Sequence, residues 1–309
     1  MDRISIYDRV TNQIIADLEQ GVMPYVKPWK DGIGRVGFAF PANATTEKTY
    51  SGINTLILWC AGSAMDYPTQ RWLTFKQAQA AGGCVRKGEK GETIVRASTF
   101  VPKDEKKSAR DEDRDPAAIP FLKAYTVFNV DQCDGLDAEV MGSVADETEE
   151  PAIDLPINAA AEHTIAASGV RIVAHPDKAF YRPADDVIAM PPMRAFHEPI
   201  NYYRTILHEL AHASGASQRL DRLPKFARFG SEAYAREELC AEIASGFLCA
   251  AHKIVPTIQH ASYVDSWLKV LKGDNRAIFT AASHAQKAAD WILDRAAEAN
   301  EPSGLRHAA

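Results

Sequence analysis

The sequence predicts an α+β protein of two domains, and three observations carry that prediction. Apolar residues recur at helical spacing in both halves of the chain. Both halves also hold short β-branched runs bounded by turn residues. Between them, from Asp131 to Asp154, lie nine acidic residues and no basic one, the composition of a linker. The expected boundaries are a first domain over residues 1–133, an acidic linker over 134–154 and a second domain over 155–300. At 309 residues, 46% hydrophobic and 25% charged, the chain is long enough to bury two cores.

Residues 4–20 form an amphipathic helix, with Tyr7, Val10, Ile14 and Leu18 on one face and Gly21 as its stop. The Pro/Lys/Trp stretch "MPYVKPWK" follows as extended loop. A second helix starts near Ser51 in "SGINTLILWCAG", and a third, "TFKQAQAAGG", has Thr74 as N-cap and a glycine pair at its end. "CVRKGEKGETIVRASTFV" reads as two strands around a Lys-Gly-Glu-Lys-Gly turn, because β-branched residues flank a glycine-rich tip. Residues 102–118, almost all charged or small, read as a solvated excursion, and "FLKAYTVFNV" as a closing strand. In the second half come a helix at 156–168, the strand "VRIVA" and a hairpin, "AFYRPADDVIAMP", turning at Pro-Ala-Asp-Asp. Helices near 199–214, 231–252, 257–272 and 274–297 complete the pattern.

The net charge of -6 excludes a wholly nucleic-acid-coating protein, but the charge is uneven. Ten Lys/Arg face five Asp/Glu between Gln20 and Phe100, which suits an anionic partner for the first domain or a merely solvated face. Five cysteines without a C-x-x-C pair point to free thiols in a reducing compartment. No apolar h-region opens the chain and no run approaches the roughly 18 apolar residues of a membrane span, so a cytoplasmic location is expected, with no membrane partner.

"TILHELAHASG" places His208 and His212 four residues apart, so both imidazoles project from one helix face and can share a metal ion. Glu209 sits about 100° round the helix, where it can meet a metal-activated water without being a ligand. The bland alternative is two chance surface histidines. A catalytic zinc usually has three protein ligands. One known class of site would place a histidine three residues past Gly215, but that position is Gln218. A glutamate from the next helix is the alternative, and "YAREELCAEIASGFLCA" offers Glu237, Glu238 and Glu242. Glu238 is the favoured ligand and Glu242 the second choice, which otherwise orients a ligand histidine through its free ring N–H. The implied metal is Zn2+, with Mn2+ or Co2+ able to occupy the same donors. The implied chemistry is attack of zinc-activated water on a peptide carbonyl, with Glu209 as general base. Tyr181, Tyr202, Tyr203, Arg219 and His197 are candidates to face the oxyanion. Whether the chain is an active metallopeptidase stays open at this point.

Aromatic and cationic residues interleave in the first domain: Lys27, Trp29, Lys30, Arg35, Lys48, Tyr50, Trp72, Lys76, Arg86, Lys87 and Lys90. Single-stranded DNA is bound in this way, by aromatic faces stacking on bases while cations follow phosphates. Trp29, in an extended loop between two lysines, is the best stacking candidate, and "RKGEKG" the best phosphate contact. A plain scaffold or protein-docking domain is the competing reading.

Beyond single motifs, "VTNQIIADLEQGVMPYVKPW", "PANATTEKTYSGIN", "RWLTFKQAQAAGGCVRKGEKG" and "YTVFNVDQCDG" resemble the N-terminal domain of ArdC-type antirestriction proteins. "FYRPADDVIAMPP", "TILHELAHASG", "RLDR" and "EELCAEIASGFL" resemble the zincin-like metallopeptidase domain that follows it in that family. The resemblance implies a single-stranded-DNA-binding domain joined to a zincin-like domain, and protection of incoming conjugative plasmid DNA from host restriction. A restriction-system protein or another DNA-associated protein is then a possible second partner. Plasmid-encoded primases have a similar front domain, but no primase motif is present here. One departure is Tyr25-Val26 before Lys-Pro-Trp, where the family pattern has a Pro-Trp pair, so an aromatic shifts within the binding loop.

Overall fold

The computed structural model describes residues 5–20, 39–112, 114–142, 157–223, 230–255 and 264–300. Helix α1 (Ile6–Glu19) starts where the Ser5 hydroxyl accepts the Asp8 backbone N–H, and it buries Val10, Ile14 and Leu18. The front part continues through β1 (Ala42–Asn43), α2 (Ile53–Met65), β2 (Arg71–Leu73) and α3 (Phe75–Ala80). Thr74 caps α3 in a reciprocal box with Gln77, each side chain meeting the other's backbone N–H. Then follow β3 (Cys84–Val85), β4 (Glu92–Phe100), α4 (Lys103–Asp111), β5 (Ile119–Asn129), β6 (Cys133–Asp134) and α5 (Ala138–Met141). The main sheet has the order β1-β2-β5-β4, with β1 parallel to β2 and the other pairs antiparallel.

Two sequence expectations change here. The strands flanking Lys-Gly-Glu-Lys-Gly exist but do not pair with each other: β3 joins β6, and β4 joins β5. The turn is tied down instead by Gln132, whose side-chain amide donates to the Lys90 carbonyl and the Glu89 carboxylate and whose backbone carbonyl accepts the Arg86 N–H. At Gly91 an added Cβ would lie 2.7 Å from the Val127 carbonyl, so only glycine lets β5 approach. The expected excursion over 102–118 contains helix α4. Asp104 and Glu105 in its first turn and Arg110 in its last complement the helix dipole, and Arg114 clasps Glu105 at 2.5 Å. Residues 133–142, at the start of the acidic stretch, fold back onto the sheet domain, where Arg71 donates to the Glu139 and Val140 carbonyls.

The second part comprises α6 (Ala159–Ala167), β7 (Arg171–Ala174), β8 (Phe180–Arg182), β9 (Val187–Met190), α7 (Pro199–Ser214), α8 (Glu232–Ala251), α9 (Val264–Gly273) and α10 (Ala277–Asn300). Its sheet has the order β7-β9-β8, so β8 is an edge strand, antiparallel to β9. Helix α7 packs under this sheet and against α8, which is buried along nearly its whole length. The principal core is shared between the two parts. Val10, Ile14 and Leu18 of α1 and Leu56 and Trp59 of α2 belong to the same cluster as Leu210, Phe247, Trp267 and Ile292. Phe40, Trp59 and Phe247 form its aromatic centre, with ring centroids 5.7–6.1 Å apart. The architecture is α+β in two domains, as expected, and no helix among the described residues is long and apolar enough to cross a membrane.

Candidate metal centre

Helix α7 begins with Pro199 at its first turn and buries Ile206, Leu207, Leu210 and Ala211, which draws the helix into the core. One turn apart on it, His208 and His212 bring their Nε2 atoms to 3.1 Å. Glu238 on α8 reaches both, with carboxylate oxygens 3.6 Å from His208 Nε2 and 3.5 Å from His212 Nε2. Among the described residues, these three form the one group of His, Cys, Asp or Glu placed to hold a metal ion. Glu242, one turn further along α8, lies 3.2 Å from His208 Nδ1 and so sits behind that ring, outside the triangle. Glu237 lies 3.0 Å from His212 Nδ1 in the corresponding position. A carboxylate only accepts, so each Nδ1 carries the hydrogen and each Nε2 aims its lone pair inward.

Two nitrogen lone pairs and a carboxylate therefore converge on one point, an arrangement that repels itself unless positive charge lies between them. Around a tetrahedral ion with bonds of about 2.0–2.1 Å, ligand atoms stand about 3.3–3.4 Å apart. The three observed separations bracket that value, so the donors fit a divalent ion. Without one, the triangle attracts a proton. Burial alone would push the His208 imidazole down, but Glu238 and Glu242 outweigh it and raise it to about 10. Burial would raise the Glu238 carboxyl, yet the two histidines hold it at about 2.

The surrounding residues fix these groups. Arg222 donates to both oxygens of Glu237, at 2.9 and 2.7 Å, and to the Ala211 carbonyl at 2.7 Å. It passes directly over Gly215, where an added Cβ would lie 2.9 Å from the guanidinium. Against burial, Arg222 and His212 hold Glu237 below the usual carboxylate range. Glu209 turns the other way, and its Oε2 accepts the Tyr181 backbone N–H at 2.7 Å. The general-base candidate is thus held by edge strand β8 and is no part of the triangle.

Tyr181 differs from its expected place. Its hydroxyl donates to Asp186 at 2.8 Å, and Arg219 grips both oxygens of Asp186, also at 2.8 Å. With burial adding to this, the phenol is pushed up to about 12. Tyr181 therefore meets Glu209 through its backbone, and its hydroxyl is committed elsewhere than to an oxyanion. Tyr203 is similarly committed to Glu162, and His197 lies exposed. Sequence reasoning missed the Arg222–Glu237 and Arg219–Asp186 pairs, since nothing local links residues so far apart.

The expected DNA-contacting residues divide into three groups. Lys27, Trp29, Lys30 and Arg35 lie outside the described residues. Lys48, Lys76, Lys87 and Lys90 are exposed, and exposed Arg86 pairs with Glu89 at 3.0 Å. The two described aromatics of the set do not offer their faces. Trp72 is fully buried, because β2 lies between β1 and β5 and turns it against Leu58, Ala61 and Tyr67, so it is a core residue and not a stacking one. Tyr50 is half-buried against the same cluster and accepts a bond from Asn43.

Two family models match in the order of the domains: the N-terminal domain of anti-restriction factor ArdC over residues 4–128, and a zincin-like metallopeptidase over residues 159–284. The protein y4eC of Sinorhizobium fredii is 41% identical over 97% of this chain and 95% of its own. DNA primase TraC of Escherichia coli is 40% identical over 93% of this chain, which spans only 27% of that primase. The crystal structure of metal-free antirestriction ArdC from plasmid R388 superposes with a TM-score of 0.77, at 38% identity over 96% of this chain and 99% of that one. Its Mn(II)-bound form gives 0.77 at 37% identity, over 95% and 99%. With both domain types present in sequence and the whole fold shared end to end, the chain belongs to the ArdC antirestriction family.

Proposed function

We propose that the protein binds single-stranded DNA through its front part and protects incoming plasmid DNA from host restriction, with a divalent metal held by His208, His212 and Glu238. The observation that carries the metal half of this reading is the inward-facing triangle of two Nε2 atoms and one carboxylate, closed behind by Glu242 and Glu237. The donor set suits zinc, and Mn2+ or Co2+ can take the same place. The R388 relative has a Mn(II)-bound structure, and the match within a DNA primase supports work on DNA.

When bound, such an ion would acidify a water molecule and polarise a carbonyl beside it. The chain's own part is to hold that chemistry in place. Glu237 and Glu242 fix the two imidazoles, and Tyr181 N–H fixes Glu209 as the proton acceptor. Glu209 gives specific ground to a second reading, an active metallopeptidase that cuts a protein on the DNA. Its carboxylate is spared from the triangle yet adjoins His208 in the helix. A third reading has the metal only stabilising an interaction surface.

Glu209→Ala separates these readings, because it removes the proton acceptor and keeps the ligands. Antirestriction is scored as survival of unmodified conjugated plasmid in a restricting host. The expected outcome is protection at the level of the unsubstituted protein, with metal still bound. Loss of protection with metal retained would establish the peptidase reading in its place.

A further inference from the structure

Between Ile119 and Val127, no strand among the described residues other than β4 pairs with β5, so the two form a two-stranded arm tipped by α4. Opposed residues of an antiparallel pair share a face. On one face Ile94 lies opposite Tyr125, Arg96 opposite Lys123, Ser98 opposite Phe121 and Phe100 opposite Ile119. Ile94 and Tyr125 anchor this face to the core beneath α2. Further out it is bare: Phe100, Ile119 and Phe121 are 56%, 55% and 44% exposed, and Arg96 and Lys123 are exposed beside them. The opposite face carries only Ala97, Thr99, Pro120 and Leu122 along the same length.

Two features of the bare face call for an anion with flat apolar groups. Like charges directly opposed across strands cost stability, and no salt bridge joins Arg96 or Lys123 to an acid among the described residues. Lys123 instead lies over the Tyr125 ring, 5.1 Å from its centroid. Aromatic rings stand on either side of the cation pair at the roughly 7 Å repeat of alternate strand residues. An acidic peptide would satisfy the cations and leave the rings wet. Duplex DNA keeps its base faces stacked. A single strand satisfies both, because its bases stack on rings while its phosphates meet cations.

We propose that this face of the arm is a binding surface for single-stranded DNA, with Arg96 and Lys123 on phosphates and Phe100 and Phe121 beneath bases. The assignment rests on the single-strand reading above and adds residues that the basic segment before Lys90 does not contain.

The test uses the full chain, a fluorescent oligodeoxythymidylate and anisotropy across a salt series. Phe121→Ala should weaken binding by about tenfold. Arg96→Gln with Lys123→Gln should lower the slope of log affinity against log salt by about 1.4, the value for two single-strand phosphates. Arg96→Lys with Lys123→Arg should restore it, and none of the three proteins should fall below the unsubstituted thermal midpoint, the Gln pair rising if anything as the opposed charges are removed. Unchanged affinity and slope in the first two variants would overturn the arm assignment and leave the single-strand reading standing. No binding by the unsubstituted chain would overturn both. Variants that bind the strand normally but lose protection would assign the face to a protein and overturn the proposal.

Discussion

Glu237 and Glu238 are neighbours on α8, yet one faces the back of a histidine and the other its front. A helix turns about 100° per residue, so adjacent carboxylates reach different sides of the same ring. Glu237→Gln keeps the shape and loses the charge that holds His212, so metal affinity should fall about 10- to 100-fold in a chelator-competition titration. Glu209→Ala should leave that affinity unchanged. Asp186 belongs to the same scale. Arg219 and Tyr181 hold its carboxyl at about 2, below its ordinary 3.8. A lowered folded-state value means the pairing stabilises fully above 3.8 and is lost as pH falls through about 2. The thermal midpoint of Asp186→Asn should therefore lie below that of the unsubstituted protein at neutral pH, with the gap closing on acidification toward that value. His208, Glu209 and His212 are legible because helical spacing alone brings them to one turn, and Glu238 because a third donor is required and the next buried helix offers glutamates. Arg222, Arg219 and Asp186 are not, since their partners lie 15 to 33 residues away.

Among the elements, those with their own periodicity or cap were readable. Thr74 and Gln77 announce α3 through their spacing, and Thr74→Ala should cost about 1 kcal/mol in thermal unfolding. Helix α4 gave no such signal. Only Ala109 is buried in it, so no apolar stripe marks it, and its support comes from charges at its ends and from Arg114. The strand partners were also beyond local reading, because short runs such as Cys84–Val85 carry no register information and pair across nearly fifty residues. Trp72 shows the same limit for side chains. Its neighbours in sequence, cationic Arg71 and apolar Leu73, do not say which way it points, and only the position of β2 inside the sheet turns it inward.

At the scale of the molecule, helical periodicity told which faces of α1 and α2 are apolar but not what covers them. They cover, and are covered by, α8, α9 and α10. Trp59→Ala should accordingly cost about 3–5 kcal/mol, and calorimetry should show one transition lowered as a whole. The transition that metal raises should be that same one. This common core bears on how such a chain can be inherited. A gene broken within the acidic stretch would yield two products with a wide oily surface each, prone to stick to other chains before finding each other. Recombination that respects stability must carry both parts in one piece. The primase relative fits that rule, for its match covers 93% of this chain and so takes in both parts and not one half.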